Sequence, residues 1–159
     1  MKNLPLTLLV AIALTVPLAG TGLAQTTAAA PEFSLVDLNN NTVSLSSYKG
    51  KQGALLFFWT TWCPFCRDQL KVINDEYSRL SQKGLLVLGI NSGEPAARVA
   101  RFLKKYSLKY PILLDEYSEV AFQYRITGVP TYVLVDKKGN IVYQDNYFPD
   151  EKTQDEALR

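Results

Sequence analysis

The stretch FFWTTWCPFC, residues 57–66, decides the fold of this chain. It continues the apolar run of residues 54–59, which has the length and composition of a strand buried on both faces. From residue 64 to about residue 82, apolar side chains recur at helical spacing, and Gly84 is a suitable helix stop. The sequence therefore predicts a buried strand that turns directly into a helix, with Cys63 at the turn.

On both sides of this stretch, strand and helix patterns alternate. Further strands are predicted at residues 33–36, 42–45, 85–90, 112–114, 131–135 and 141–144, and further helices from residue 95, around residues 120–124 and at residues 150–158. The first two strands form a hairpin around a turn-rich segment. Buried strands then alternate with helices, and a second hairpin ends the sheet. This order predicts a single α/β sandwich.

The N-terminus has the pattern of a targeting segment. Residues 1–24 combine one lysine, an apolar run and small residues before a plausible cleavage point, as in a secretory signal peptide. An uncleaved membrane anchor is the alternative, because the apolar run is close to the shortest length that spans a bilayer. Residues 25–31 are predicted to be a flexible lead-in, and residues 32–159 a single domain.

Composition excludes several classes of function. The chain has 159 residues, a formal charge of +2, two cysteines and no histidine. A charge this small predicts no nucleic-acid binding. Without histidine there is no Ser-His-Asp triad, and two cysteines alone do not make the usual zinc site. The chemistry is expected to come from the two sulfurs, with no metal and no cofactor besides a redox-active disulfide.

The cysteine pair is placed for reactivity. Cys63 is predicted at a helix N-terminus, where free backbone N–H groups and the helix dipole stabilise a thiolate. A disulfide to Cys66 closes a very small ring, so it removes little entropy from the unfolded chain. The pair is therefore a better redox switch than a structural staple. A passive disulfide in a secreted domain is the alternative.

Residues 57–66 resemble the active-site segment of the thioredoxin superfamily, and more narrowly that of the TlpA/ResA/DsbE-like extracytoplasmic thiol–disulfide oxidoreductases. Residues 31–35 with the following hairpin, residues 89–94 and residues 128–136 carry the resemblance further, from about Pro31 to Phe148. It implies a thioredoxin-like three-layer sandwich with an N-terminal β-hairpin of the AhpC/TSA-redoxin kind. A central helix–strand insertion is expected around residues 95–115.

The resemblance also implies roles for the two cysteines and for the Gly-Val-Pro-Thr loop. Cys63 would attack a substrate disulfide, and Cys66 would resolve the mixed disulfide that results. A cis peptide bond before Pro130 would bring the Val129 backbone opposite Cys63, where it could pair with an extended substrate strand. An ordinary turn before an edge strand is the alternative for Pro130.

The residues next to the cysteines are expected to contact substrate. Trp62 is assigned to the docking surface beside the disulfide, whereas Trp59 is assigned to the core. Pro64 and Phe65 lie between the cysteines, where they tune thiolate stability as well as contact substrate. Their order departs from the branch, which commonly has proline directly before the second cysteine.

Two further departures concern proton transfer. The position of the buried aspartate found in many thioredoxins is Phe57 here, and a glutamate that some members carry after the second cysteine is replaced by Gln69. Glu94 matches a loop glutamate of the branch and is the remaining candidate for proton handling. The alternative is that Glu94 is simply a charged residue near the N-terminus of the next helix.

The resemblance implies a periplasmic or otherwise extracytoplasmic protein-disulfide reductase, secreted by its signal peptide or anchored through it. Its expected substrates are extracytoplasmic protein disulfides, such as those of apocytochrome c or a copper-site assembly factor. A monomer is expected, recharged by a membrane thiol-transfer donor of the CcdA/DsbD kind. An oxidase or isomerase of secreted proteins, and a thiol peroxidase of the redoxin group, are the alternatives.

Overall fold

The computed structural model describes residues 28–159. The signal-peptide prediction for residues 1–24 and the start of the predicted lead-in lie outside this range. The strands are β1 (Ser34–Val36), β2 (Thr42–Ser44), β3 (Gly53–Trp59), β4 (Leu85–Ser92), β5 (Ile112–Asp115), β6 (Thr131–Val135) and β7 (Ile141–Asp145). The helices are α1 (Pro64–Lys83), α2 (Ala96–Leu103), α3 (Glu119–Gln123) and α4 (Glu151–Glu156), with a short 3-10 helix at Leu45–Tyr48.

A five-stranded sheet in the order β5-β4-β3-β6-β7 forms the centre of the domain. β3, β4 and β5 are parallel, whereas β6 pairs antiparallel with β3 and β7 antiparallel with β6. This arrangement confirms the predicted order of parallel buried strands followed by a hairpin. It also places the carboxyl ends of β3, β4 and β5 at one edge of the sheet.

β3 is buried along its whole length because helices cover both faces of the sheet. Leu55, Phe57 and Trp59 pack with apolar residues of α1 and with Val99 of α2. The alternate residues of β3 belong to a second core, which includes Val120 and other residues of α3. Helices on both sides of one sheet make the three-layer sandwich that was predicted.

The N-terminal hairpin is formed by β1 and β2, as predicted. Asp37 organises its turn: Oδ1 of Asp37 accepts hydrogen bonds from the backbone N–H groups of Asn39 and Asn41. Asp37 also forms an isolated bridge with Leu113 of β5, so the hairpin is attached to the outer strand β5 of the central sheet.

The predicted helix–strand insertion is α2 with β5. β4 is two residues longer than predicted, because Asn91 and Ser92 pair with Leu114 and Asp115 of β5. Sequence alone places the end of β4 at Ile90, where the apolar run stops. The extension matters for the site, since Asn91 and Ser92 both lie near the strand ends that hold the cysteine pair.

Residues 28–31, the end of the predicted flexible lead-in, make contacts with the domain. Ala29 bridges to Asn140, and the carbonyl of Ala28 accepts a hydrogen bond from the backbone N–H of Ile141. The Tyr124 hydroxyl donates to the carbonyl of Pro31. The segment is thus hydrogen-bonded to the domain.

None of the helices within residues 28–159 has both the length and the apolar composition of a membrane-spanning helix.

Candidate active site

Cys63 is the N-cap of α1, and Pro64 occupies the first helical turn. Proline suits that turn because its fixed φ matches the helix and its missing N–H is not needed there. The Cys63 sulfur accepts a hydrogen bond from the backbone N–H of Cys66 at 3.1 Å. This donor, together with the positive end of the helix dipole, favours a negative charge on Cys63.

Cys63 and Cys66 form a disulfide, with their Cα atoms 5.3 Å apart. Cys66 is completely buried, whereas 3% of Cys63 remains exposed. Cys63 is therefore the more exposed residue of the pair. This asymmetry agrees with the predicted roles of Cys63 as attacking group and Cys66 as resolving group, which remain predictions.

The peptide bond between Val129 and Pro130 is cis, as the resemblance implied. The carbonyl oxygen of Val129 lies 3.6 Å from the Cys63 sulfur. The backbone of this loop is therefore adjacent to the reactive sulfur. Its pairing with a substrate strand remains a prediction.

Both cysteines belong to an apolar core cluster. Phe57 is fully buried in the same core cluster as Cys63 and Cys66 and stacks on Tyr132 with ring centroids 5.1 Å apart. The Tyr132 hydroxyl donates a hydrogen bond to Oε1 of Gln69 at 2.6 Å. Burial raises the pKa of Tyr132 above its ordinary value, so its hydroxyl stays protonated and acts as a donor.

Glu94 is a buried carboxylate, with 2% of its surface exposed. It accepts hydrogen bonds from the Thr61 backbone N–H at 2.6 Å, the Thr61 hydroxyl at 2.5 Å and Nδ2 of Asn91 at 2.8 Å. Arg98 lies 3.6 Å away through its Nε atom. These contacts connect Glu94 to the segment before Cys63, in addition to its position directly before the N-cap of α2. Among the described residues, Glu94 has no hydrogen bond to either cysteine, and its proton-handling role stays a prediction.

Arg67 is a further residue that organises the site, and sequence reasoning missed it. Its Nε and Nη2 atoms donate to the carbonyl of Thr61 at 3.3 and 3.2 Å. Thr61, two residues before Cys63, is thus hydrogen-bonded to both Glu94 and Arg67. The only sequence signal was the position of Arg67 directly after the second cysteine.

Two grooves lie on either side of the Val129–Pro130 pair. Groove A has a volume of about 390 Å³ and is lined by Thr60, Trp62, Ser92, Ser118, Ala121, Phe122, Ile126, Thr127, Gly128 and Val129. Groove B has a volume of about 340 Å³ and is lined by Phe65, Gln69, Pro130, Asn146, Tyr147 and Phe148. Of the residues expected to contact substrate, Trp62 and Val129 line groove A, and Phe65 and Pro130 line groove B. Pro64 is exposed at the start of α1.

The fold and the cysteine pair define a thioredoxin-like protein with a disulfide at the N-terminus of its first long helix. The chain belongs to the AhpC/TSA family, whose model matches residues 26–144. Within this family, the similarity of the chain to ResA proteins and to solved thiol–disulfide oxidoreductases supports the narrower TlpA/ResA/DsbE-like branch.

Relatives in sequence include thiol-disulfide oxidoreductases named ResA. The protein from Geobacillus kaustophilus (strain HTA426) is 37% identical over 112 residues, which cover 70% of this chain and 64% of the relative. The protein from Bacillus subtilis (strain 168) is 34% identical over 113 residues, which cover 71% of this chain and 63% of the relative. The chain thus spans somewhat less than two thirds of the length of these relatives.

Solved structures of thiol–disulfide oxidoreductases share the fold of this chain. The thioredoxin domain of a thiol-disulfide oxidoreductase from Bacteroides vulgatus superposes with a TM-score of 0.69 at 25% identity, covering 82% of this chain and 93% of that domain. A thiol:disulfide interchange protein from Bacteroides sp. superposes with a TM-score of 0.66 at 26% identity, covering 76% of this chain and 80% of the other.

Proposed function

We propose that this protein is a thiol–disulfide oxidoreductase that reduces disulfides of extracytoplasmic proteins through Cys63 and Cys66. The observation that carries the proposal is the position of the Cys63 sulfur, at a helix N-terminus and 3.6 Å from the backbone of Val129. A sulfur held in this way combines thiolate stabilisation with a neighbouring backbone where a substrate strand can lie.

The reaction starts from the reduced pair. The Cys63 thiolate attacks one sulfur of the substrate disulfide, which breaks that S–S bond and joins Cys63 to the substrate in a mixed disulfide. The other substrate sulfur leaves as a thiolate and takes up a proton. Cys66, as thiolate, then attacks the Cys63 sulfur, which breaks the mixed disulfide and releases the substrate sulfur that was bound to Cys63. Two electrons and two protons pass from the cysteine pair to the substrate, and the Cys63–Cys66 disulfide is formed.

Cys66 must lose a proton before it attacks, and its surroundings make this step costly. It is fully buried, and Phe57 occupies the position where a carboxylate would lie in many thioredoxins. Burial in apolar surroundings disfavours a thiolate. Glu94 is our candidate for the group that accepts this proton. It is connected to the active-site segment through Thr61, whose backbone N–H and hydroxyl donate hydrogen bonds to it.

The finer parts of the function follow from the resemblance and the N-terminal sequence. The apolar N-terminal segment supports export, and the proposed location is a periplasmic or other extracytoplasmic compartment. A reductant in such an oxidising compartment needs an electron supply, for which a membrane thiol donor of the CcdA/DsbD kind is suitable. Apocytochrome c cysteines and copper-site assembly factors are the proposed substrates of a monomeric enzyme in cytochrome c biogenesis or metal-site maturation.

The test is the redox state of the cysteine pair in living cells, measured by acid quench and thiol alkylation of the full-length protein. A mostly reduced pair is expected if the protein is a supplied reductant. A pair that is mostly oxidised, in cells that contain a membrane thiol donor, would overturn the proposed direction in favour of an oxidase. Turnover of hydrogen peroxide without a protein disulfide would indicate a peroxidase instead.

A further inference from the structure

Thr60 and Ser92 lie side by side at the ends of two neighbouring parallel strands. In β3 and β4, Phe58 pairs with Ile90 and Trp59 with Asn91, so Thr60 and Ser92 follow one position further along. Side chains alternate between the faces of a sheet. Phe58 and Ile90 belong to the core beneath α3, and Thr60 and Ser92 therefore point to that same side.

The hydroxyl groups of both residues are buried without a hydrogen-bond partner among residues 28–159. Only 5% of Thr60 is exposed. The nearby threonines differ, because Thr61 donates to Glu94 and Thr131 donates to the carbonyl of Gly128. Buried polar groups are normally hydrogen-bonded, so two adjacent unpaired hydroxyls point to a partner that the chain itself does not supply.

Both residues line groove A, whose walls are mostly apolar and include two further hydroxyl residues, Ser118 and Thr127. Trp62 and Phe122 are 60% and 84% exposed at this groove, and Ile126 and Val129 contribute further apolar surface. None of the described residues that line the groove carries a charge. A charged side chain entering here would lose water without gaining an ionic partner, which is costly.

We propose that groove A binds an aromatic side chain with a polar tip, namely tyrosine, tryptophan or histidine, located close to the reacting cysteine of an extended polypeptide substrate. The ring packs between Trp62 and Phe122, and its polar tip forms hydrogen bonds with the hydroxyls of Thr60 and Ser92. The inference rests on the proposed function, because groove A is a substrate site only if Cys63 reacts with a polypeptide disulfide.

The two hydroxyls are closed to solvent in this oxidised structure. A ligand atom therefore reaches them when a wall side chain turns to another rotamer. Exposed side chains make such changes within nanoseconds. Phe122, whose side chain is more exposed than that of Trp62, is suited to this movement.

Groove B serves as an internal comparison. Its two amide side chains already have partners within the chain: Oε1 of Gln69 accepts from Tyr132, and Nδ2 of Asn146 donates to the carbonyl of Pro130 and to the Thr131 hydroxyl. Groove B can bind an apolar residue, but it has less reason to distinguish a polar tip. Selectivity for such a tip is therefore assigned to groove A.

The experiment uses the reduced full-length protein and matched disulfide-bonded peptides that carry tyrosine or phenylalanine at each of three positions on either side of the cysteine. We expect kcat/KM to favour tyrosine about five- to tenfold at one position, because only tyrosine pairs the two hydroxyls. The ratio of kcat/KM for the tyrosine peptide to that for the phenylalanine peptide should fall toward one in Thr60→Val and in Ser92→Ala. It should be retained in Thr60→Ser. Thr42→Val, an exposed site on the hairpin, is the matched control and should keep the preference.

Peptides that are reduced without any tyrosine preference would overturn this inference and leave the proposed function standing. A preference that persists in both Thr60→Val and Ser92→Ala would also overturn it. If the wild-type protein reduces none of the peptides, the proposed function itself fails and the inference fails with it.

Discussion

Glu94 binds Thr61 with both of its carboxylate oxygens, although the two residues are 33 positions apart. Oε2 accepts from the Thr61 backbone at 2.6 Å and Oε1 from the Thr61 hydroxyl at 2.5 Å. Because Thr61 lies two residues before Cys63, this contact ties the end of β4 to the segment that holds the reactive cysteine. The carboxylate is therefore part of the support of the site, whether or not it also transfers protons.

Replacing Glu94 with glutamine should destabilise the protein. The amide places an NH2 group where a carboxylate oxygen now accepts hydrogen bonds, so at least one buried donor loses its partner. We expect the free energy of unfolding to fall by about 1–3 kcal/mol. Urea denaturation of the oxidised protein measures the change. Asp75→Asn, at an exposed ion pair with Lys71, is the control and should change stability by less than about 1 kcal/mol.

The proton-handling role of Glu94 requires a separate measurement. If Glu94 accepts the Cys66 proton, Glu94→Gln should change the pH dependence of the step in which Cys66 resolves the mixed disulfide. Rapid-quench kinetics with a disulfide-linked peptide on Cys63 report this step. We expect the resolution rate of the variant to depend more steeply on pH, since hydroxide must then remove the proton. An unchanged profile in a folded variant would assign Glu94 to support alone.

The two cysteines should behave differently when they are replaced. Cys63→Ala should abolish disulfide reduction, because the sulfur proposed to attack the substrate is lost. Cys66→Ala should retain the first attack and accumulate mixed disulfides with partner proteins. Non-reducing gels of extracts from cells that express each variant reveal these adducts. The Cys63→Ala/Cys66→Ala double variant should form none, and normal turnover by Cys63→Ala would mean that the nucleophile is wrongly assigned.

Buried tyrosines should make stability fall at high pH. Burial raises the pKa of Tyr110, Tyr124 and Tyr132, so these phenols ionise in the unfolded chain near pH 10 but stay neutral in the folded one. Their contribution to the free energy of unfolding is fully present below about pH 10. It is lost as the pH rises above that value. Above about pH 10, each of these tyrosines should lower the free energy of unfolding by about 1.4 kcal/mol per pH unit.

Denaturation of the oxidised protein between about pH 9 and pH 11.5 tests this expectation, since disulfide-bonded cysteines do not titrate. Tyr132→Phe should reduce the slope by the equivalent of one proton. It should also cost about 1 kcal/mol at neutral pH, because the hydrogen bond to Gln69 is lost. A slope identical to that of the wild type would show that Tyr132 ionises equally in both states.

Gly89 is required in β4 by close packing. A Cβ at this position would lie 2.6 Å from Cδ1 of Ile112 and 3.2 Å from Cε2 of Tyr110. Gly89→Ala should therefore destabilise the protein by about 1–3 kcal/mol, measured as a shift in the urea midpoint. Gly128→Ala is the matched control, because a Cβ there meets nothing within 4 Å. Equal stability of the two variants would show that the packing around Gly89 yields easily.

Much of the architecture could be predicted because its signals are local. The apolar run of β3, the proline after Cys63 and the glycine that ends α1 each act within a few residues. The resemblance of the Gly-Val-Pro-Thr loop was enough to expect the cis bond before Pro130. The hairpin at Asp37 was equally predictable, since a short polar turn between two strands needs only its own side chains.

The sequence by itself determined the two sulfurs, their spacing and their place at a helix N-terminus, since neighbours along the chain set all three. Only the tertiary structure decided that Thr61 binds Glu94, that Tyr132 binds Gln69 and that Thr60 lies beside Ser92. Each of these pairs joins residues 32 to 63 positions apart, and none has a local signal. Strand register and helix packing choose such partners, because a buried polar group binds whichever donor or acceptor the fold brings within about 3 Å.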